Sequence, residues 1–135
     1  MPKYLLLKHY TGGPEQATHA PMDQWSPDEV SAHIEFQREV GRLLTESGEL
    51  VDAQALSPQG AWVRYGGPDA APVVTDGPFP ETKELIAGWY MIDVASQERA
   101  YEVAALVSSA PGQGGEPIHE WLEVRPVMDD VPAVD

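Results

Sequence analysis

The sequence predicts an α+β fold of the order β-α-β-β-β-α-β: one antiparallel sheet with both helices on one face, the ferredoxin-like plan. Three observations carry this. Runs of aliphatic and aromatic residues open and close the chain at Lys3–Tyr10 and Ile118–Val127. Two serine-capped segments with helical patterning, after Ser26 and Ser96, separate the strands. A length of 135 residues suits one domain with an adequate apolar core.

The first strand, Lys3–Tyr10, ends at Thr11-Gly12-Gly13-Pro14, and a long loop leads to Trp25, expected to pack as a hydrophobic staple. Ser26 is a helix cap, with Pro27 at the first helical position and Glu29 three residues beyond the cap, so a capping box starts a helix running to Ser47. Gly48 stops it. Glu49–Leu56 and Ala61–Tyr65 are the next strands, split by the hairpin-length cluster Ser57-Pro58-Gln59-Gly60. The second of these is expected to resume at Val73–Thr75 after an excursion through Gly66-Gly67-Pro68-Asp69. Ala87–Val94 is a strand and Gln97–Ser109 a helix. Gly112-Gln113-Gly114-Gly115 is a flexible connector, and the domain, residues 1–127, is followed by an acidic tail at 128–135.

Composition narrows function. With 22 acidic and 8 basic residues the net charge is −14, which opposes nucleic acid and anionic lipid. An anionic small ligand would need Lys3, Lys8, Arg64, Lys83 or Arg125 to converge locally. Without cysteine, thiolate nucleophiles and iron–sulfur centres are excluded. His9, His19, His33 and His119 lack zinc-site spacing, so no metal is expected, and no cofactor. The apolar opening is too short for a signal peptide, and no run reaches the roughly 20 residues of a membrane span. A soluble cytoplasmic protein is the expectation.

The most constrained stretch is Val74–Leu85, Val-Thr-Asp-Gly-Pro-Phe-Pro-Glu-Thr-Lys-Glu-Leu. Asp76-Gly77 carries turn chemistry, Pro78 and Pro80 fix φ, and Phe79 is pinned between them. This run resembles the DGPF signature of the YCII-related family. The resemblance implies the dimeric α/β-barrel superfamily, in which two sheets pack face to face, and hence a homodimer. A ferredoxin-like sheet covered on one face only leads to the same expectation. The resemblance also implies a second function class, since genes of DGPF-type relatives often lie beside those of sigma factors: a regulatory module with a protein partner.

His33 is the sharpest candidate for chemistry. At 100° per residue, Phe36, Val40 and Leu44 fall within about 60° of it, so it faces inward. There it is either a general acid or base, or a core residue bonded to a carbonyl. The resemblance implies an acid–base pair of a helix-one histidine and a carboxylate at the barrel mouth. Measured back from Gly48-Glu49-Leu50, that histidine would fall one turn later, near Gln37 on the same face. Asp76 is the candidate carboxylate, against the plainer role of accepting amides of its own turn.

Phe79, Lys83, Trp89, Tyr90, Trp121 and Arg125 complete a candidate ligand wall. Lys83 would meet a carboxylate, although with Glu81 and Glu84 it also suits a solvated loop face. Trp89 and Tyr90 must face opposite sides of the sheet. Alternation puts His119, Trp121, Glu123 and Arg125 on one face, either a ligand wall or a wet dimer interface. Two functions follow: a small-molecule-binding protein, in its sharper form a cofactor-independent acid–base enzyme of the lyase or isomerase type, or a non-catalytic interaction module.

Overall fold

The computed structural model describes residues 2–9, 22–77 and 86–129. Its elements are β1 (Lys3–His9), α1 (Pro27–Glu46), β2 (Leu50–Ala55), β3 (Gly60–Arg64), β4 (Val73–Gly77), β5 (Ile86–Asp93), α2 (Gln97–Ser108) and β6 (Leu122–Pro126). Four strands form an antiparallel sheet in the order β2-β5-β1-β6, with β1 and β5 central. That is the ferredoxin-like arrangement expected from the element order.

Both helices start where their caps place them. The Ser26 hydroxyl accepts from the Glu29 amide while the Glu29 carboxylate accepts from the Ser26 amide. Ser96 accepts from the Arg99 amide at the head of α2. One core joins them to one sheet face: Tyr4 and Leu6 of β1, Tyr90 and Ile92 of β5, Val40 and Leu44 of α1, and Val103 and Val107 of α2. Phe36 packs against it, as the helical stripe requires.

Register explains what each sheet face carries. On the helix side, one cross-strand row is Ala53–Tyr90–Leu6–Val124 and the next is Ala55–Gly88–Lys8–Leu122. The opposite face carries Asp52–Met91–Leu5–Arg125 and Gln54–Trp89–Leu7–Glu123. Its centre is half-buried and apolar, its two edges polar or charged.

Four expectations need correction. First, Val73–Thr75 does not resume the preceding strand: β3 and β4 pair with each other as a separate two-stranded sheet, Trp62 opposite Thr75. The 57–60 cluster therefore joins strands that do not pair, since β2 pairs with β5. Second, Asp76 and Gly77 are paired as the last two residues of β4, opposite Ala61 and Gly60, rather than standing in a turn. Gly77 leaves room there for the Trp62 indole lying diagonally across the ladder, which a Cβ would displace. Third, the last strand begins at Leu122, not Ile118; His119 has φ 56° and breaks the assumed alternation. Fourth, residues 112–115 are ordered by a 3₁₀ turn, by the Gly112 amide donating to Glu116 O, and by a Pro111–Pro117 bridge.

Candidate functional site

A cleft of about 160 Å³ opens between α1 and one corner of the sheet. The corner is hollow because the helix-side rows there contribute Ala53, Ala55 and Gly88 in place of large side chains. Gly88 has no room for more, its Cβ position lying 2.5 Å from Gln54 O. Around the hollow stand Lys8 of β1, Gln37 of α1 and Tyr90 of β5.

Behind Gln37 lies His33, only 3% exposed. Its Nδ1 is 2.9 Å from Pro111 O and its Nε2 is 2.8 Å from Gln37 Nε2. A carbonyl can only accept and an amide nitrogen can only donate, so Nδ1 carries the proton and Nε2 presents a lone pair. Trp25 meets the imidazole edge-on at 5.4 Å and also covers Gly112 beside Ile118. The inward-facing histidine is thus held on three sides, with Gln37 one turn later reaching the cleft.

Lys8 pairs with Glu120 at 3.4 Å, and both side chains are mostly buried. Glu120 Oε1 has no hydrogen-bond partner, so this is charge proximity without a directed bond. Burial, with the Glu120 charge adding to it, pushes the Tyr90 hydroxyl above its ordinary range and keeps it a phenol. The cleft therefore presents an ammonium, a phenolic O–H and a carboxamide.

The other sequence candidates are spread over the fold. Asp76 sits on the exposed β3–β4 hairpin, opposite Ala61, and is not among the described residues lining the cleft. Trp89 borders the cleft, although its cross-strand row with Leu7 and Glu123 belongs to the far sheet face, while Tyr90 is core, as alternation required. Trp121 is half exposed, and Arg125 is exposed on the far face, where it reaches Glu123 at 3.3 Å. Phe79 and Lys83 lie outside the described residues.

Sequence reasoning missed two pairings. The Lys8–Glu120 pair was reachable through Lys8, which alternation places with Tyr4 and Leu6, but no local signal links it to Glu120. The other is His9 Nε2 to Glu123 Oε1 at 3.0 Å on the far face, where His9 Nδ1 is buried without a partner. Among the described residues no cluster of three potential metal ligands occurs, and no helix is long and apolar enough to cross a membrane.

Comparison with known proteins gives the lineage. A protein of Rhizobium meliloti (strain 1021), itself described only as uncharacterized, is 34% identical over 103 residues, covering 76% of this chain and 79% of its own. The model of the YCII-related domain matches residues 3–110, from β1 to the end of α2 and short of the segment that carries Glu120 and Glu123. With the DGPF run inside that match and the ferredoxin-like sheet around it, the chain belongs to the YCII-related family.

Proposed function

We propose that this YCII-related protein binds a small polar molecule in the cleft between α1 and the sheet, and that it works as a homodimer. The observation that carries the reading is the convergence of Lys8, Gln37 and Tyr90 on one hollow, each with polar atoms that no hydrogen bond to another described residue occupies. In its sharper form the site performs cofactor-independent acid–base chemistry. Tyr90, kept as a phenol, gives a proton to a ligand oxygen, and Lys8 stabilises negative charge there. His33 then acts through Gln37 rather than on the ligand. Asp76, on the hairpin and outside the described lining of the cleft, is given no step in that chemistry. The half-buried centre formed by Leu5, Leu7, Trp89 and Met91, with charged or polar edges, supports pairing of two sheets.

Ligand-detected NMR screening of wild type and Lys8→Met tests this. Hits should shift the amides of Ala53 and Ala55 and be lost in the variant. Hits that shift only far-face residues would refute the cleft. Sedimentation should give twice the monomer mass.

A second reading is favoured by the β3–β4 hairpin, which exposes Trp62, Val63 and Val74, with Tyr65 beyond it. Such a surface suits a regulatory protein partner, of the kind the sigma-factor association implies. Stoichiometric co-purification of a partner, abolished by Tyr65→Ser, would support it; an undisturbed complex would count against the hairpin.

A further inference from the structure

Gln37 faces the cleft, yet the polarity of its amide is set from behind. The Pro111 carbonyl takes the Nδ1 proton of His33, leaving only a lone pair at Nε2, so the amide must turn its nitrogen to the ring. Gln37 Oε1 then has no hydrogen-bond partner among the described residues, and it is an acceptor. Its companions are donors. Lys8 holds Glu120 by charge alone and keeps its N–H groups unspent, and Tyr90 keeps its hydroxyl proton. From the helix-side rows and α1 the cleft offers two donors and one acceptor over a small apolar floor of Ala53 and Ala55, with Gln54 and Trp89 of the far-face row at its border. This set specifies a ligand with a compact acceptor group beside a donor.

We infer that the cleft selects small carboxylic acids carrying a hydroxyl or ammonium group on the carbon next to the carboxylate. The carboxylate meets Lys8 and Tyr90, the neighbouring donor meets Gln37 Oε1, and His33 is the positioning residue that makes Gln37 an acceptor. The inference rests on the cleft being the ligand site. A plain acid of equal size would bury Gln37 Oε1 unpaired, which weakens binding about tenfold or more.

The test is an NMR titration of the full chain with three probes: lactate, alanine and propionate. Lactate or alanine should bind about tenfold more tightly than propionate, and which of the two leads decides between hydroxyl and ammonium. Gln37→Leu should remove the preference, weakening lactate or alanine and relieving the penalty on propionate, with Gln37→Met standing in where that variant does not fold. His33→Leu should remove it likewise, and long-range imidazole ¹H–¹⁵N spectra of wild type should show the proton on Nδ1. Equal binding of all three acids at the cleft, or a neutral ring protonated on Nε2, overturns the selectivity while leaving the cleft reading intact. Acids that shift no cleft residue, with Lys8→Met making no difference, overturn both.

Discussion

Replacing Gly77 by alanine in the DGPF run should open the β3–β4 hairpin, and the size of the effect follows from Trp62. The new Cβ would occupy the space of the Trp62 indole, so the ring must leave. Trp62 is 63% exposed, which means that a little over a third of the side chain is covered. For a tryptophan of roughly 250 Å² this is on the order of 90 Å². At about 25 cal/mol per Å² the lost cover costs about 2 kcal/mol, an upper value because the open hairpin retains some contact. The loss should be local, since the hairpin is a sheet of its own, so native-state hydrogen exchange is the appropriate assay. Ladder amides between residues 60–64 and 73–77 should exchange up to about 30-fold faster, with core amides of β5 unchanged. Trp62→Ala should do much the same, and the double variant little more than either, because both remove one contact. Unchanged protection in Gly77→Ala, or additive losses in the double variant, would refute the account of this glycine.

Two further predictions concern the body of the fold. Leu44→Ala, at a position 1% exposed under the sheet, should cost about 3 kcal/mol in urea unfolding, and a loss below 1 kcal/mol would mean that the core is misplaced. The Arg99 guanidinium makes two bonds of 2.9 Å to Glu49 and, with the Ser47 hydroxyl, holds that carboxyl below its ordinary value of 4.5 against the opposing effect of burial. Because the folded value is the depressed one, the pair's contribution is present above the ordinary value and is lost as pH falls through the folded value. Urea midpoints measured downward from pH 6 should therefore fall less steeply in Arg99→Gln than in wild type; parallel profiles would remove the pair as a source of acid lability.

How far the fold could be read from sequence depended on the range of the signals. Ser26 and Ser96 announce their helices within four residues, and the apolar stripe correctly turned His33 inward. The same local logic failed where pairing is decided at a distance. β2 pairs with β5 across the hairpin insertion, so a turn cluster after β2 carried no information about its partner. His119 seemed to continue a strand by alternation alone, yet Ser108 and Ala110 bind the backbone of residues 118–120 and hold that stretch against α2. The cleft was half legible. Tyr90 and the Gln37 position were marked, whereas the polarity of Gln37 depends on Pro111, whose carbonyl lies 78 residues from His33.

β1 is central in the sheet, but both of its neighbours come late in the chain, β5 from residue 86 and β6 from residue 122. During synthesis the segment Tyr4-Leu5-Leu6-Leu7 therefore emerges long before any strand exists to pair with either of its edges. At elongation rates of roughly 5–20 residues per second the wait lasts several seconds. An unpaired apolar strand is a template for aggregation in that interval. Lys3 and Lys8 bracket the run, so the residue that later faces the cleft first serves as a charged gatekeeper on the nascent chain.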